Sequence, residues 1–567
     1  MIHQKKRSLL TYGGLTIALF GVAFSLTGCK GKVNDTPEHL EIKMYKAGNG
    51  TESVKNVAAR FMELNPGKTV DVIENTEGRV VESEFPNGPK FNTVDLYLAG
   101  GSFFNMSNKG AISIDGVTYE NSFASLDDVY ENPAYGETVA IKDKMLKSYS
   151  DYYYGEEKAN GKHSYFAPWV GGWRGIVYNS KMFEQYHWNI PRTTDEMFEL
   201  CETINATKAK STNKNTMGQD LRISPFTYSR ADSYWDSVET EWWIQYEGIE
   251  NYKLFGQGMN ANHEYSPDVV AAPGILESMR VMEKILGTYY KDASGVHPRS
   301  NIYCDNTLTF RTYTDIQSTF LYGEEARLNP SGASTAAMMP VGDWLENEMS
   351  SNFAQEIADK KVAFRTMKTP IVSALANKTS FKGASDKDLK LREIVSYIDN
   401  EKKGDKPSFA TDEDIRLVDA ARHVTTSQYA EVMMIPTYSS SVELAKDFIR
   451  FLYSDEALRI FLQATKGVEM PLTCNYDGIE ISDFQKSKFE ILNRDNVDIV
   501  LGISKYPMAY AGILSAFTNS EAYGTMESKF GVANPADFMS AEEIFQLNYN
   551  VVAKNWQQKL RDAGILN

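Results

Sequence analysis

The sequence has few of the residues that bind metals or act as nucleophiles. Its 567 residues include four cysteines and seven histidines, and none of them lies in the His-Glu-x-x-His or paired Cys/His spacings of zinc sites. The motifs Gly-x-Ser-x-Gly and Gly-x-x-x-x-Gly-Lys-Ser/Thr are also absent. We therefore expect neither a metal, nor a cofactor, nor catalytic residues.

Basic residues are in the minority. Lysine and arginine number 59, against 75 aspartates and glutamates, which gives a formal net charge of −16. Phosphate-rich partners require a basic surface, so the charge argues against nucleic acid as a partner. It also argues against adsorption to anionic lipid head groups by charge alone.

Long apolar runs are confined to the N-terminus. Lys5, Lys6 and Arg7 precede an apolar run over residues 9–26 that ends in Leu26-Thr27-Gly28-Cys29. This pattern predicts a secretory signal peptide over residues 1–28, followed by a polar tether over residues 29–39. The alternative is an uncleaved membrane anchor, because the run approaches spanning length. Cleavage would remove three basic residues and no acid, leaving 539 residues with a net charge of −19.

The Leu-x-Gly-Cys ending resembles a bacterial lipobox. The resemblance implies that Cys29 is lipidated and becomes the mature N-terminus. Three further cysteines remain: Cys201, Cys304 and Cys474. Cys201 falls on the apolar face of a predicted helix, so buried thiols are expected, and a Cys304–Cys474 disulfide stays open.

Strand-like and helix-like segments alternate after the tether. Residues 40–45, 69–73 and 94–98 have the pattern of strands, and a helix with Val54, Val57 and Phe61 on one face lies between the first two. This alternation predicts an α/β fold with a mostly parallel sheet. Ligands of such sheets lie beyond the carboxyl ends of the strands, where Asn49, Glu52 and Ser102 are found.

Residues 166–204 have the features of a hinge with a binding surface. Trp169 and Trp173 flank the pair Gly171-Gly172, which permits a sharp backbone bend. A strand-like run follows, and then a helix start at Thr193 with a glutamate three residues later.

Four sequence motifs resemble those of the extracellular solute-binding proteins of carbohydrate ABC importers. They are F-x-x-x-N-P-G before K-x-V-x-V at 61–72, W-x-G-I-V-Y-N before I-P-x-T-x-D-E at 173–196, A-M-x-x-x-G-x-W at 337–344, and A-K-D-F-I-R-F-L-x-S-D-E-A before G-V-E-M-P at 445–471. Together they are spread over most of the chain.

The resemblance implies a two-lobed periplasmic-binding-protein-like fold of type II. Each lobe would be a mostly parallel sheet flanked by helices, and three crossings of the chain would form the hinge. We expect the first lobe to comprise residues 40–167 and 358–467, with a helical insertion at about 383–425. The second lobe would comprise residues 168–357 and 468–567.

The implied function is that of a lipid-anchored receptor on the extracytoplasmic face of the cell membrane. It would capture a sugar or oligosaccharide between its lobes and deliver it, as a monomer, to the membrane subunits of an ABC importer. Two alternatives are open: a surface enzyme acting on glycosides, which needs two carboxylates at a defined separation, and an adhesin-type lipoprotein that does not transport.

Nine residues are candidates for contact with a sugar. Aromatic rings stack on the apolar faces of sugars, whereas carboxylates, amides and hydroxyls bind the hydroxyl rim. The stacking candidates, of which the resemblance supports Trp344 and Trp235 best, are Trp169, Trp173, Trp235, Trp344 and Tyr438. The hydrogen-bonding candidates are Asn49, Glu52, Ser102 and Asp343. The alternative is that the rings lie in the core and the polar groups cap helices or form turns.

Overall fold

The computed structural model describes thirteen stretches of the chain. They are residues 36–46, 48–158, 161–207, 210–214, 220–229, 234–304, 307–308, 312–321, 335–350, 363–427, 431–492, 497–513 and 525–566. The predicted signal peptide and Cys29 lie outside the described residues.

The described residues form eighteen strands, most of them short. They are β1 (His39–Tyr45), β2 (Thr69–Asn75), β3 (Leu96–Gly100), β4 (Ile112–Ile114), β5 (Val117–Tyr119), β6 (Glu156–Lys158), β7 (Gly161–His163), β8 (Ala167–Val170), β9 (Arg174–Asn179), β10 (Lys210–Lys214), β11 (Asp220–Phe226), β12 (Tyr289–Asp292), β13 (Gly295–Pro298), β14 (Thr335–Gly342), β15 (Phe364–Met367), β16 (Val424–Ser427), β17 (Glu431–Met434) and β18 (Asp498–Leu501).

Twenty α-helices lie between and around these strands in the described stretches. They are α1 (Glu52–Leu64), α2 (Val80–Glu84), α3 (Phe104–Ser107), α4 (Asp127–Glu131), α5 (Ile141–Lys144), α6 (Lys147–Tyr153), α7 (Ser180–Tyr186), α8 (Thr194–Thr207), α9 (Trp235–Glu247), α10 (Ile249–Gln257), α11 (Pro273–Leu286), α12 (Tyr313–Leu321), α13 (Lys387–Asp399), α14 (Asp412–His423), α15 (Val442–Leu452), α16 (Asp455–Thr465), α17 (Asp483–Leu492), α18 (Pro507–Tyr510), α19 (Glu527–Phe530) and α20 (Ala541–Asp562).

The first lobe is built on a five-stranded sheet in the order β2-β1-β3-β17-β8. β1 pairs in parallel with both β2 and β3, whereas β17 pairs antiparallel with β3 and β8. α1 covers one face because Val54, Val57, Ala58 and Phe61 recur at helical spacing and are all buried.

The second lobe is built on a mixed sheet in the order β10-β11-β14-β9-β15. β14 pairs in parallel with β11 and antiparallel with β9, and β15 pairs antiparallel with β9. Side chains alternate between two apolar clusters along β9, where Ile176 faces one cluster and Val177 faces the other. Both faces of this sheet are therefore covered, and the predicted α/β fold class is confirmed.

The chain passes between the two sheets three times. The first crossing joins β8 to β9, the second joins β16 to β17, and the third lies between α16 and α17. β16 also pairs in parallel with β18, which adds a two-stranded sheet beside the second crossing.

The expected return to the first lobe near residue 358 is wrong. β15 belongs to the second sheet, and the segment that follows it, including the predicted insertion, packs into the second lobe through Ile371, Leu391 and Val418. The chain rejoins the first lobe only at β17. Residues 364–371 have the sequence pattern of a strand, but this pattern does not show which of the two sheets the strand joins.

One buried ion pair fixes the third crossing. Asp343 follows β14 and Lys488 lies in α17; both side chains are 0% exposed, with 3.0 Å between Lys488 Nζ and Asp343 Oδ2. Lys488 Nζ also donates to the carbonyl of Gly467, and Asp343 Oδ2 accepts from the backbone N–H of Glu469. The second lobe therefore holds the backbone of the crossing directly.

No helix in the described part of the chain is both long enough and apolar enough to cross a membrane.

We predict that Lys488→Met lowers the free energy of unfolding by about 3–5 kcal/mol, because the buried Asp343 carboxylate loses its counter-ion. Urea unfolding measures the change. Lys486→Met in the same helix is the control, since Lys486 is largely exposed. A loss below about 1 kcal/mol for Lys488→Met would contradict the assigned role of the pair.

Candidate functional site

The two lobes meet where the carboxyl ends of β1 and β3 face the start of β9 and the end of β14. Gly48, in the loop after β1, lies against Trp344: a Cβ added to Gly48 would be 2.7 Å from the Trp344 side chain. Beside it, Asn347 Nδ2 donates to Asn49 Oδ1 at 3.0 Å. We refer to this region as the inter-lobe site.

Trp344 is held in place by its own strand and by two neighbours. A Cβ at Gly342 would lie 2.1 Å from the indole ring, so the ring can fold back over the strand only because residue 342 is glycine. Tyr234 packs edge-on at a centroid distance of 5.7 Å. The Arg174 guanidinium lies 5.2 Å from the Trp344 ring and 5.3 Å from the Tyr234 ring, within the range of cation–π attraction.

Arg174 is oriented by a carboxylate. Its Nη1 lies 3.2 Å from Asp236 Oδ1 at the start of α9. Because Arg174 is the first residue of β9 and pairs with Gly342, the backbone of the sheet positions the guanidinium beside Trp344. This part of the site is thus an aromatic surface with a cation fixed against it.

The first lobe contributes Tyr45, the last residue of β1. Its ring lies over Gly100, where an added Cβ would approach it to 2.8 Å, and it also approaches Gly78. Burial raises the pKa of the Tyr45 hydroxyl, and the negative charges of Glu431 and Glu348 raise it further. Tyr45 is therefore a neutral phenol that can stack or hydrogen-bond.

A hydrogen-bonded network beneath the site joins the crossings. Glu469 Oε1 accepts from the Tyr149 hydroxyl at 2.9 Å, and its Oε2 accepts from the Trp173 N–H at 3.2 Å. Ser427 Oγ accepts from the Gly172 N–H and lies 3.0 Å from the Tyr149 hydroxyl. Burial and the charge of Asp343 raise the pKa of Glu469 to about 7.

Two of the nine candidate residues lie in the inter-lobe site. Trp344 is partly exposed, and Asn49 contacts Asn347 across the lobes. Ser102 lies apart from them, in a small hollow lined by Phe104, Tyr152 and Ser504. Whether these three residues bind a ligand remains a prediction.

Three of the candidate rings lie in the apolar cores. Trp169 packs on Phe461 at a centroid distance of 4.7 Å, and Trp235 packs on Phe226 and Trp242. The Tyr438 ring packs on Phe85, and its hydroxyl donates to the Phe85 carbonyl. The structure therefore corrects their assignment as stacking groups, because Trp169 and Trp235 are 0% exposed and Tyr438 is 9% exposed.

Three further candidates also have structural partners. Trp173 lies in the first crossing, buried, with its Nε1 donating to Thr425 Oγ1. Asp343 is corrected from ligand group to buried ion pair with Lys488. Glu52 is exposed at the start of α1 and pairs with Lys55. Trp173 and Glu52 thus follow the alternative interpretation of a core residue and a helix-terminus residue, whereas the buried ion pair of Asp343 was not among the alternatives.

Four residues in or beside the site were not predicted from the sequence: Tyr45, Arg174, Tyr234 and Glu431. Glu431 carried a signal, since it is an acidic residue directly before the apolar run from Val432 to Ile435. The other three were ordinary polar or aromatic residues at element ends, and only the fold brings them to Trp344.

Cysteine and metal chemistry find no support in the described residues. Cys201, Cys304 and Cys474 are all free thiols, so the Cys304–Cys474 disulfide is not formed. Within the described stretches, no group of three or more His, Cys, Asp or Glu side chains is arranged to hold a metal ion.

A family model described as "Bacterial extracellular solute-binding protein" matches residues 47–273. No curated protein matches the chain significantly. The match confirms the resemblance drawn from the sequence motifs, two of which lie wholly within those residues.

Solved structures share the fold at low sequence identity. Maltose-bound MalE3 of T. maritima has a TM-score of 0.55 at 13% identity, covering 91% of this chain and 99% of that chain. A chitin oligosaccharide binding protein has a TM-score of 0.54 at 14% identity, covering 91% and 98%. The GacH receptor of Streptomyces glaucescens, solved unliganded and with acarbose, has a TM-score of 0.52 at 11% identity, covering 92% and 98%.

We predict that the free energy of unfolding of Glu469→Gln rises relative to that of the parent as the pH increases from about 4.5 to about 7. Above pH 7 the difference between the two proteins should stay constant. The folded state keeps the Glu469 proton in this window whereas the unfolded chain releases it, so the parent loses stability there. The gain should reach on the order of 2–3 kcal/mol.

Urea unfolding at pH 5, 6, 7 and 8 tests this prediction, with the exposed Glu52→Gln as the control. A difference between Glu469→Gln and the parent that does not change with pH would contradict it.

Proposed function

We infer that the chain is a bacterial extracellular solute-binding protein, and we propose that it captures a carbohydrate at the inter-lobe site and delivers it to an ABC importer. The family match over residues 47–273 and the two-lobed fold support this proposal. The relatives named for maltose, chitin oligosaccharide and acarbose suggest the ligand class.

The observation that carries the proposal is Trp344 and its surroundings. A partly exposed indole ring from one lobe lies against Gly48 of the other lobe, in the loop that follows Tyr45. Rings of this kind stack on the C–H faces of sugars, and the amides of Asn49 and Asn347 and the Arg174 guanidinium can bind the hydroxyl rim. A sugar placed here would contact both lobes.

Contact with both lobes is what makes closure depend on the ligand. A ligand shifts an open–closed equilibrium only by its difference in affinity for the two states. The three crossings allow the lobes to move as rigid bodies about Gly171-Gly172 and the adjacent segments. We propose that the closed, loaded form is the one that docks to the importer as a monomer.

Binding rather than catalysis is the proposed activity. Two of the acids near the site, Asp343 and Glu469, are hydrogen-bonded within the crossing network, and a third, Asp236, pairs with Arg174. Incubation of the protein with each glycan, followed by product analysis, separates the two functions, because a glycosidase would release shorter sugars.

A thermal-shift screen of residues 30–567 against a glycan panel tests the proposed function. A ligand that binds the native state raises the melting temperature by mass action, by about 2.7 kcal/mol in stability at a hundredfold excess over Kd. If no glycan in the panel raises the melting temperature, a carbohydrate receptor is the wrong assignment.

We predict that Trp344→Ala weakens glycan binding by about 10- to 100-fold, the scale of losing one stacked aromatic ring. Titration calorimetry with the glycan that gives the largest thermal shift measures the effect. Trp188→Ala is the matched control, since Trp188 stacks on Tyr186 beside α7, away from the inter-lobe site. Equal affinity of Trp344→Ala and the parent would contradict the site.

We also propose that Cys29, outside the described residues, is lipidated and anchors the protein to the extracytoplasmic face of the membrane. Cys29→Ala should then abolish labelling by a palmitate analogue and release the protein or leave it unprocessed. Both readouts follow from fractionation and blotting of cells that produce each form. Lipid labelling that persists in Cys29→Ala would refute the anchor.

A further inference from the structure

Glu431 is a buried carboxyl group at the base of the inter-lobe site. It is the first residue of β17, between β3 and β8, and is 5% exposed. Its Oε2 has no hydrogen-bond partner within the described stretches. A buried polar atom without a hydrogen-bond partner destabilises the fold, and a bound ligand that hydrogen-bonds to this oxygen would remove that cost.

The pairing of β17 shows which way Glu431 points. Glu431 lies directly opposite Gly100 of β3, and side chains of directly opposed residues lie on the same face of a sheet. A Cβ at Gly100 would approach the Tyr45 ring, so Glu431 and Tyr45 share that face. The loop that follows Tyr45 contacts Trp344 of the other lobe, and the charge of Asp343, the residue before Trp344, acts on Glu431. The carboxyl group therefore faces the inter-lobe site.

Among the described residues, the titratable groups around Glu431 do not supply a positive charge to it. Tyr45 faces it from β1, and Asp343 faces it from the end of β14. Lys488 is paired with Asp343, and Glu469 beyond it is a further acid. Arg174 and Glu348 act on Tyr45 from the second lobe. Burial, followed by the charge of Asp343, raises the pKa of Glu431 to about 8.

We propose that Glu431 is a ligand-binding residue that contacts a sugar hydroxyl as a neutral carboxylic acid and thereby favours uncharged sugars over cationic amino sugars. A protonated carboxyl offers one donor and one acceptor, which matches a hydroxyl that also donates and accepts. A carboxylate offers acceptors only, and it would pair with an ammonium group instead. This inference rests on the carbohydrate function proposed above.

Titration calorimetry between pH 6 and pH 9 tests the role of Glu431. The probes are maltotriose, raffinose, the N-acetylglucosamine trimer and, at pH 6 only, where its amines are protonated, the deacetylated trimer. The affinity of the parent for a neutral probe should fall about tenfold between pH 7 and pH 9, as the group with a pKa of about 8 loses its proton. In Glu431→Gln, whose amide keeps a donor and an acceptor, this pH dependence should disappear.

Two further variants complete the design. Glu431→Ala should weaken binding of the neutral probes about tenfold or more at pH 6, because both hydrogen-bonding atoms are removed. Glu283→Gln in α11 is the control, since burial also raises the pKa of Glu283 but the residue packs against Arg299 in the second lobe. It should leave the pH dependence of binding as in the parent. Melting temperatures verify that each variant is folded.

The outcomes are distinguishable. If the parent binds a neutral probe and Glu431→Gln keeps the parental pH profile, the role of Glu431 is refuted while the receptor function stands. A preference of the parent for the deacetylated trimer over the acetylated trimer at pH 6 also refutes it, since Glu431 would then pair as a carboxylate with an ammonium group. If the parent binds none of the four probes at pH 6, the carbohydrate function fails, and the role of Glu431 fails with it.

Discussion

The structure depends on the buried ion pair and hydrogen bonds that connect the three crossings to each other. Asp343 and Lys488 form a fully buried pair whose members also hold the backbone of residues 467–469. A buried ion pair contributes little net stability compared with well-packed apolar residues. Removal of either partner is nevertheless strongly destabilising, because the other charge is then buried without a counter-ion. Hydrogen bonds through Glu469, Tyr149 and Ser427 extend this constraint to the other two crossings. The three crossings are therefore tied to one another by a small number of polar contacts.

The inter-lobe site is assembled from element ends rather than from one segment. Tyr45 ends a strand of the first sheet, Arg174 begins a strand of the second, and Trp344 follows another. Glycines at positions 48, 100 and 342 leave the space that these side chains occupy. The site thus combines rigid strands, which set the distances, with side chains that meet only when the lobes are together.

Much of the fold could be predicted from the sequence, and less of the site. The helical spacing of Val54, Val57 and Phe61 defines α1, and motifs of known type define the crossing at Trp173. The sheet that β15 joins could not be predicted, because strand propensity does not encode the pairing partner. Trp169 and Trp235 were indistinguishable in sequence from Trp344, since an indole ring suits a core and a sugar surface equally. Only burial separates them, and burial is a property of the tertiary structure.

The interior position of β17 has a consequence for the order of folding. β17 lies between β3 and β8, yet it is formed by residues 431–434, near the end of a 567-residue chain. β8 cannot join the first sheet until that late strand has been made, so the N-terminal portion has no complete core of its own during synthesis. Native pairing between segments so distant in sequence is slow. The first lobe therefore completes its sheet late, after more than 400 residues have been made, although its first strand lies near the N-terminus.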